Sequence, residues 1–64
     1  NMISPGPIDH NIPSYLRKRL IANTPMKKLC SVEEIFKTIL FLCDTKNRHI
    51  TGQNIVIDGG KSLI

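Results

Sequence analysis

The sequence predicts an α/β fold in which one amphipathic helix leads into one apolar strand. Residues 31–43 carry apolar side chains at helical spacing, and the β-branched run Ile55-Val56-Ile57 is closed by Gly59-Gly60. A continuous β-branched run is typical of a strand covered on both faces, as in an open α/β sheet. A chain of 64 residues is too short to hold such a sheet by itself, because a domain of this size buries only about 60% of the surface that its unfolded chain exposes.

The helix over 31–43 begins at a recognisable capping box. Ser31 is followed three residues later by Glu34, and both Glu33 and Glu34 lie at the positive end of the helix dipole. Adjacent helix positions point about 100° apart, so these two carboxylates are interpreted as helix-starting residues and not as an acid–base pair. The apolar positions predict one face meant for burial, made of Val32, Ile35, Phe36, Ile39, Leu40, Leu42 and Cys43.

The N-terminal part predicts a strand, a turn and a short helix. Residues 1–4 form a semi-apolar run that Pro5-Gly6-Pro7 cuts off, because this tripeptide continues neither a strand nor a helix. Asn11 or Ser14 is then expected to cap a helix with Pro13 in its first turn, where the missing amide proton has no effect. The apolar stripe of this helix is predicted to consist of Ile12, Leu16 and Leu20.

The net charge of the chain does not by itself identify a binding partner. The nine Lys and Arg against five Asp and Glu give a net charge of +4, which fits a nucleic-acid or acidic-protein partner and equally a segment whose acidic partners lie elsewhere in its protein. The basic residues between Arg17 and Lys28 have only Tyr15 beside them, whereas bases stack on arrays of aromatic side chains. We therefore expect no nucleic-acid partner.

The cysteines indicate a reducing compartment. Cys30 and Cys43 lie at opposite ends of the predicted helix, roughly 20 Å apart, so they are expected neither to form a disulfide nor to share a zinc ion. Free thiols favour the cytoplasm. The longest apolar stretch has five residues, against about 20 for a membrane span, so no membrane partner is expected. The chain opens on Asn1, which favours a start further upstream, although Met2 leaves a short independent product open.

No catalytic constellation is visible in these residues. His10 has no nucleophile at a recognisable position, and Tyr15 is followed four residues later by Arg19 where a phenol activated by an amine would need Lys. The four glycines are not spaced as G-x-G-x-x-G. Neither catalytic nor metal-binding residues are predicted.

Five short motifs follow one another along the chain: Asn1-Met-Ile-Ser-Pro-Gly-Pro-Ile8, Pro25-Met-Lys-Lys28, Glu33-Glu-Ile35 with Phe41-Leu42, Ile50-Thr-Gly-Gln53, and Val56-Ile-Asp-Gly-Gly60. Their order and spacing resemble the C-terminal quarter of the short-chain dehydrogenase/reductase family, which usually reads N-x-I-S-P-G-x-I-x-T, P-L-G-R-x-G-x-P-E-E-I, F-L and I-T-G-Q-x-x-x-V-D-G-G. The resemblance implies the C-terminal part of a Rossmann-like doubly wound parallel sheet, with two strands and intervening helices. Residues 1–64 would be one portion of a single domain: a strand end and cofactor-proximal loop over 1–10, a substrate-lid region over 11–30, and the helix and last strand over 31–60.

The resemblance also implies a cofactor, NAD or NADP, and a small carbonyl or alcohol substrate. In the family the Pro-Gly loop closes over the nicotinamide, so the cofactor-proximal residues would be Pro5, Gly6, Pro7, Ile8 and His10. The residues of the substrate lid would be Ile12, Tyr15 and Leu16. The family's helix before the last strand commonly builds dimer or tetramer contacts, which implies a homo-oligomer.

The chain departs from the family pattern at several positions. His10 stands where a cofactor-binding Thr is usual, and Lys28, Cys30 and Val32 replace the usual Arg, Gly and Pro. The glycine-rich nucleotide loop and the Tyr and Lys of the proton relay lie outside these residues, so the chain alone is expected to be inactive. Three interpretations stay open: a segment of an NAD(P)-dependent oxidoreductase, a non-catalytic truncated remnant or assembly piece, and a small basic module for nucleic acid or an acidic partner.

Overall fold

Two parallel strands form the centre of the fold. A computed structural model describes residues 1–64, with strand β1 (Met2–Pro5) paired to strand β2 (Asn54–Ile57) so that Met2 lies opposite Asn54 and Pro5 opposite Ile57. The connection between them carries helices α1 (Ser14–Ala22) and α2 (Val32–Cys43), and a 3-10 helix over Lys61–Leu63 follows β2. Parallel strands require such a crossover, so the predicted α/β class is confirmed.

Side-chain and backbone hydrogen bonds join the beginnings of the two strands. The Asn1 side chain donates from Nδ2 to the Ile50 carbonyl at 3.1 Å and accepts from the Gln53 N–H at 3.0 Å. The N–H of Met2 donates to the Gln53 carbonyl at 2.7 Å. The first and fourth of the five motifs are thus hydrogen-bonded to each other, and this fixes the register of the sheet.

Helix α2 begins at the predicted capping box. The N–H of Glu34 donates to Ser31 Oγ at 3.1 Å, and the N–H of Ser31 donates to Glu34 Oε2 at 2.8 Å. The hydrogen bond from the Ser31 backbone lowers the pKa of the Glu34 carboxyl, because it stabilises the charged form. The predicted helix over 31–43 is confirmed, with Ser31 as its N-cap.

Helix α1 starts differently from the prediction. Pro13 itself occupies the N-cap, no side chain caps the helix, and Ile12 precedes it. Asn11 takes a left-handed conformation, with φ of 54°, and so turns the chain before the helix without capping it. The expected caps at Asn11 or Ser14 were therefore wrong, although Leu16 and Leu20 are half-buried as expected.

The glycine pair after β2 packs against the connector between α1 and α2, residues 23–31. Gly59 and Gly60 have φ of 64° and 91°, and the N–H of Met26 donates to the Gly59 carbonyl at 3.0 Å. A Cβ built on Gly59 would lie 2.7 Å from Thr24 Cγ2, and one on Gly60 would lie 3.2 Å from Pro25. Positive φ and the close approach of the connector therefore both favour glycine at these two positions.

Little of the chain is buried within its own fold. Only Thr24, Leu29 and Cys30 are buried, and the accessible surface is 5131 Å², against roughly 4,100 Å² for a compact monomer of this mass. The expectation that the apolar face of α2 and both faces of β2 are covered is wrong for this chain taken alone: Phe36 is 58% exposed and Val56 is 48% exposed. Neither of the two α-helices has the length and apolar character to cross a bilayer.

Candidate functional site: the loop after strand β1

The loop after β1 lies at the carboxyl end of a parallel strand, the edge of the sheet where α/β proteins bind ligands. The N–H of Gly6 donates to the Ile57 carbonyl at 2.9 Å, which extends the ladder one residue beyond the strand. A Cβ on Gly6 would lie 2.9 Å from Asp58 Cβ, so a side chain at this position would displace the end of β2. The loop therefore leaves the sheet at a position that only glycine fits.

An isolated parallel bridge between Ile8 and Cys30 holds the middle of the loop. The N–H of Cys30 donates to the Pro7 carbonyl at 3.3 Å, and the N–H of Asp9 donates to the Cys30 carbonyl at 2.8 Å. In a parallel bridge of this pattern the N–H and C=O of Ile8 itself point away from Cys30. The carbonyl of Ile8 accepts from the His10 N–H at 2.8 Å, whereas the N–H of Ile8 has no partner in the chain and is available to a ligand.

A bidentate ion pair joins the loop to α1. Arg17 donates from Nε to Asp9 Oδ1 at 3.0 Å and from Nη2 to Asp9 Oδ2 at 2.9 Å. This hydrogen bonding lowers the pKa of the Asp9 carboxyl and raises the pKa of the Arg17 guanidinium. The sequence analysis did not identify this pair, because a turn separates Asp9 from the helix that carries Arg17, so no helical spacing relates the two residues.

The other candidate residues are distributed around this loop. The ring of His10 is exposed, and its Nε2 lies 3.2 Å from Asn11 Nδ2. Of the proposed lid residues, Ile12 and Leu16 are half-buried and Tyr15 is 76% exposed. The structure thus joins the loop to α1 through Asp9 and leaves the Tyr15 side chain exposed to solvent.

The connector that faces the loop contains a second residue that the sequence reasoning overlooked. Lys27 has φ of 57°, a conformation that favours glycine, and its Nζ donates to the Ala22 carbonyl at 2.7 Å. It stands where the quoted family pattern P-L-G-R has Gly, which was the signal available in the sequence. Cys30 needs no such conformation, and burial raises the pKa of its thiol, so it is a packing residue.

The turn after β2 gives a test that depends on pH. Hydrogen bonding by Ser62, and less strongly by the N–H of Gly60, lowers the pKa of the Asp58 carboxyl in the folded state. A lowered folded pKa means that Asp58 contributes stability above its unfolded pKa of about 3.9, and that this contribution is lost as the pH falls through the folded value. We expect Asp58→Asn to lower the unfolding midpoint of the natural polypeptide at pH 7 and to lower it less at pH 3, measured by thermal unfolding across that range. An equal effect at both pH values would contradict the role of the charge.

Comparison with known proteins agrees with this architecture. A sequence model of the family described as enoyl-(acyl carrier protein) reductase matches residues 1–62. The chain is 38% identical to a 3-oxoacyl-[acyl-carrier-protein] reductase FabG of Buchnera aphidicola over 94% of its own length and 26% of that protein. It is 33% identical to the protein of the same name from Thermotoga maritima, with the same shares covered. The chain therefore spans about a quarter of the length of these curated relatives.

A solved structure gives the same result. A short chain dehydrogenase from Bacillus anthracis superposes with a TM-score of 0.83 and 34% identity, over 97% of this chain and 25% of that one. The family match takes in nearly all residues and agrees with both the curated relatives and the superposed fold. The chain belongs to the short-chain dehydrogenase/reductase family, and its strands and helices are the C-terminal part of a Rossmann-like doubly wound parallel sheet.

Proposed function

We propose that these residues form the C-terminal part of an NAD(P)-dependent oxidoreductase that converts a small carbonyl or hydroxyl compound. Within that protein, residues 1–10 supply one wall of the nicotinamide site, residues 11–30 supply the substrate lid, and residues 31–60 supply scaffold. The observation that carries the proposal is the free N–H of Ile8, held at the carboxyl end of β1 in a chain of this family. Relatives named as 3-oxoacyl-[acyl-carrier-protein] reductase and as 2,5-dichloro-2,5-cyclohexadiene-1,4-diol dehydrogenase support the reaction type.

The residues of the loop fit a nicotinamide carboxamide. A carboxamide carbonyl needs a hydrogen-bond donor, and the N–H of Ile8 supplies one that the fold leaves unused. Gly6 and the two prolines bring no polar side chain to compete for that group. When bound, the nicotinamide supplies the hydride, and the task of this chain is to orient the ring and to help exclude water.

The proton-relay residues and the nucleotide loop of the family belong to sequence outside these residues, so the proposal concerns a protein larger than this segment. We further propose that the protein is cytoplasmic and homo-oligomeric. The exposed apolar side chains of α2, Phe36 and Leu40 among them, support a partner surface there. The same exposure is compatible with a non-catalytic assembly piece, which would bind neither cofactor.

The deciding experiment is the intact mass of the natural polypeptide, followed by titration with NADH and NADPH. A protein of about 250 residues that binds either cofactor and oxidises it with a carbonyl compound is the expected result. A natural product of 64 residues, or a longer one that binds neither cofactor, would overturn the proposal.

Replacing Ile8 tests the loop directly. The substitution Ile8→Pro removes the free N–H and leaves Pro5, Gly6 and Pro7 unchanged. It removes no intramolecular hydrogen bond, because the bridge to Cys30 uses the Pro7 carbonyl and the Asp9 N–H. We expect the dissociation constant for the nicotinamide cofactor to rise about tenfold, the equivalent of one hydrogen bond to a ligand. Ile8→Val keeps the N–H and is the matched control, expected to bind as the wild type does. Equal affinities of the two variants would exclude the Ile8 N–H as a cofactor contact.

A further inference from the structure

The ion pair between Asp9 in the loop after β1 and Arg17 in α1 supports an inference beyond the cofactor site. We propose that Arg17 is a positioning residue, which couples the placement of the substrate-lid helix to the backbone of Ile8 through Asp9. The proposal rests on the proposed function, because it concerns how the same site is held in shape. It assigns a role to a side chain that is not among the cofactor-binding or lid residues named above.

Asp9 is hydrogen-bonded to two different parts of the molecule, Cys30 in the connector and Arg17 in helix α1. Its N–H donates to the Cys30 carbonyl at 2.8 Å, and its carboxylate receives both hydrogen bonds from Arg17, at 3.0 and 2.9 Å. A planar guanidinium that meets both carboxylate oxygens fixes orientation as well as distance. Because Asp9 directly follows Ile8, a rotation of the Asp9 backbone also turns the neighbouring peptide groups of the loop.

Helix α1 has few other constraints at its beginning. No side chain caps it, none of its residues is buried, and it follows a turn at Asn11 in the left-handed conformation. Arg17 lies in the first half of this helix, next to the lid residue Leu16. The ion pair is thus the side-chain link between the start of α1 and the loop, and a shift of the helix on binding substrate would be passed to Asp9.

The ion pair is partly exposed, with side-chain exposures of 46% for Arg17 and 37% for Asp9, so its effect is modest and sensitive to salt. For Arg17→Met in the natural polypeptide, we expect the KM values for cofactor and substrate to rise together by roughly two- to fivefold, the range for exposed ion pairs. The turnover number should stay within about twofold, because the pair makes no contact with a reacting atom. High salt should raise the KM values of the wild type towards those of the variant.

Two further variants separate positioning from a general loss of stability. Arg48→Met removes an exposed cation that forms no ion pair and lies outside both the loop and the lid region, and it should leave both KM values unchanged. The charge exchange Asp9→Arg with Arg17→Asp restores the pair in reverse and should bring the KM values back towards the wild type. A merely structural role would lower the unfolding midpoint of Arg17→Met, which the charge exchange would restore, and would leave both KM values unchanged.

The outcomes also separate this inference from the proposed function. If the wild type binds cofactor and Arg17→Met has wild-type KM values, the positioning role is wrong and the proposed function stands. Rescue by the charge exchange, with Arg48→Met unchanged, supports the role. If the wild type binds neither NADH nor NADPH, the proposed function fails and the positioning role fails with it.

Discussion

Made as a separate 64-residue peptide, this chain is expected to lack its fold in water. Its far-ultraviolet circular dichroism should be that of a mostly disordered chain, and heating should give no cooperative transition. The reason is that the fold buries only three of its 64 residues. Ordering each residue costs about 1–2 kcal/mol of backbone entropy, and burial of apolar surface is the main term that offsets it.

The dimensions of the chain give the same answer. Its radius of gyration is 13.5 Å, with extents of 43 × 24 × 14 Å, whereas a compact domain of this length has a radius of gyration of about 11 Å. The accessible surface exceeds that of a compact monomer by roughly 1,000 Å². A flat layer with this much uncovered surface needs another surface against it, whether from its own polypeptide or from a partner.

Circular dichroism and proton NMR of the peptide test this expectation, with trifluoroethanol as a positive control. The alcohol should induce helix in α2, whose capping box and amphipathic pattern favour it, without restoring the parallel sheet. Dispersed amide signals and a cooperative melt in plain buffer would contradict the expectation and would favour an independent module.

The sequence predicted those parts of the fold that local chemistry determines. The start of α2 was correct because Ser31 and Glu34 complete each other's hydrogen bonds within one turn. The apolar run of β2 indicated a strand, and the parallel pair with β1 followed from the family pattern. The N-terminus of α1 was missed because Asn11, a good capping residue by composition, uses its tolerance of positive φ instead.

What the sequence could not predict depends on contacts between distant residues. Periodicity identified an apolar face on α2, but it does not say whether residues of this chain cover that face; they leave most of it exposed, with only Ile35 and Leu42 half-buried. The pair between Asp9 and Arg17 crosses a turn whose path no pattern in the chain specifies. The loop from Pro5 to Ile8 was proposed as the cofactor site from the family resemblance, and the free N–H of Ile8 became visible only from the bridge to Cys30.

The substitution with the largest expected effect on stability is Gly59→Ala in the natural polypeptide. A residue with a side chain at φ of 64° is strained by about 1–2 kcal/mol, and the new Cβ would lie 2.7 Å from Thr24 Cγ2. Thr24 has little freedom to move, since it is 4% exposed, β-branched, and donates from Oγ1 to the Leu20 carbonyl at 2.7 Å. Overpacking against such a side chain typically adds about 1–3 kcal/mol. We expect a total loss of roughly 2–5 kcal/mol in the free energy of unfolding.

Gly52→Ala is the matched control for this substitution. Gly52 has nearly the same φ, 67°, but a Cβ there meets no atom within 4 Å. Its substitution therefore carries the strain alone, about 1–2 kcal/mol, reduced by the lower entropy of the unfolded chain. Urea denaturation followed by circular dichroism should place Gly52→Ala well above Gly59→Ala in midpoint, with unchanged slopes.

Thr24→Ser separates the steric part from the backbone part. The change deletes Cγ2, the atom in contact, and keeps the hydroxyl that donates to Leu20. Combined with Gly59→Ala it should restore most of the difference between the two alanine variants, because the clash and its relief lie in the same contact and their effects do not add. If the losses of unfolding free energy from Gly59→Ala and Thr24→Ser simply add in the double variant, the contact with Thr24 does not explain the glycine at position 59. Only the backbone conformation would then explain the glycine.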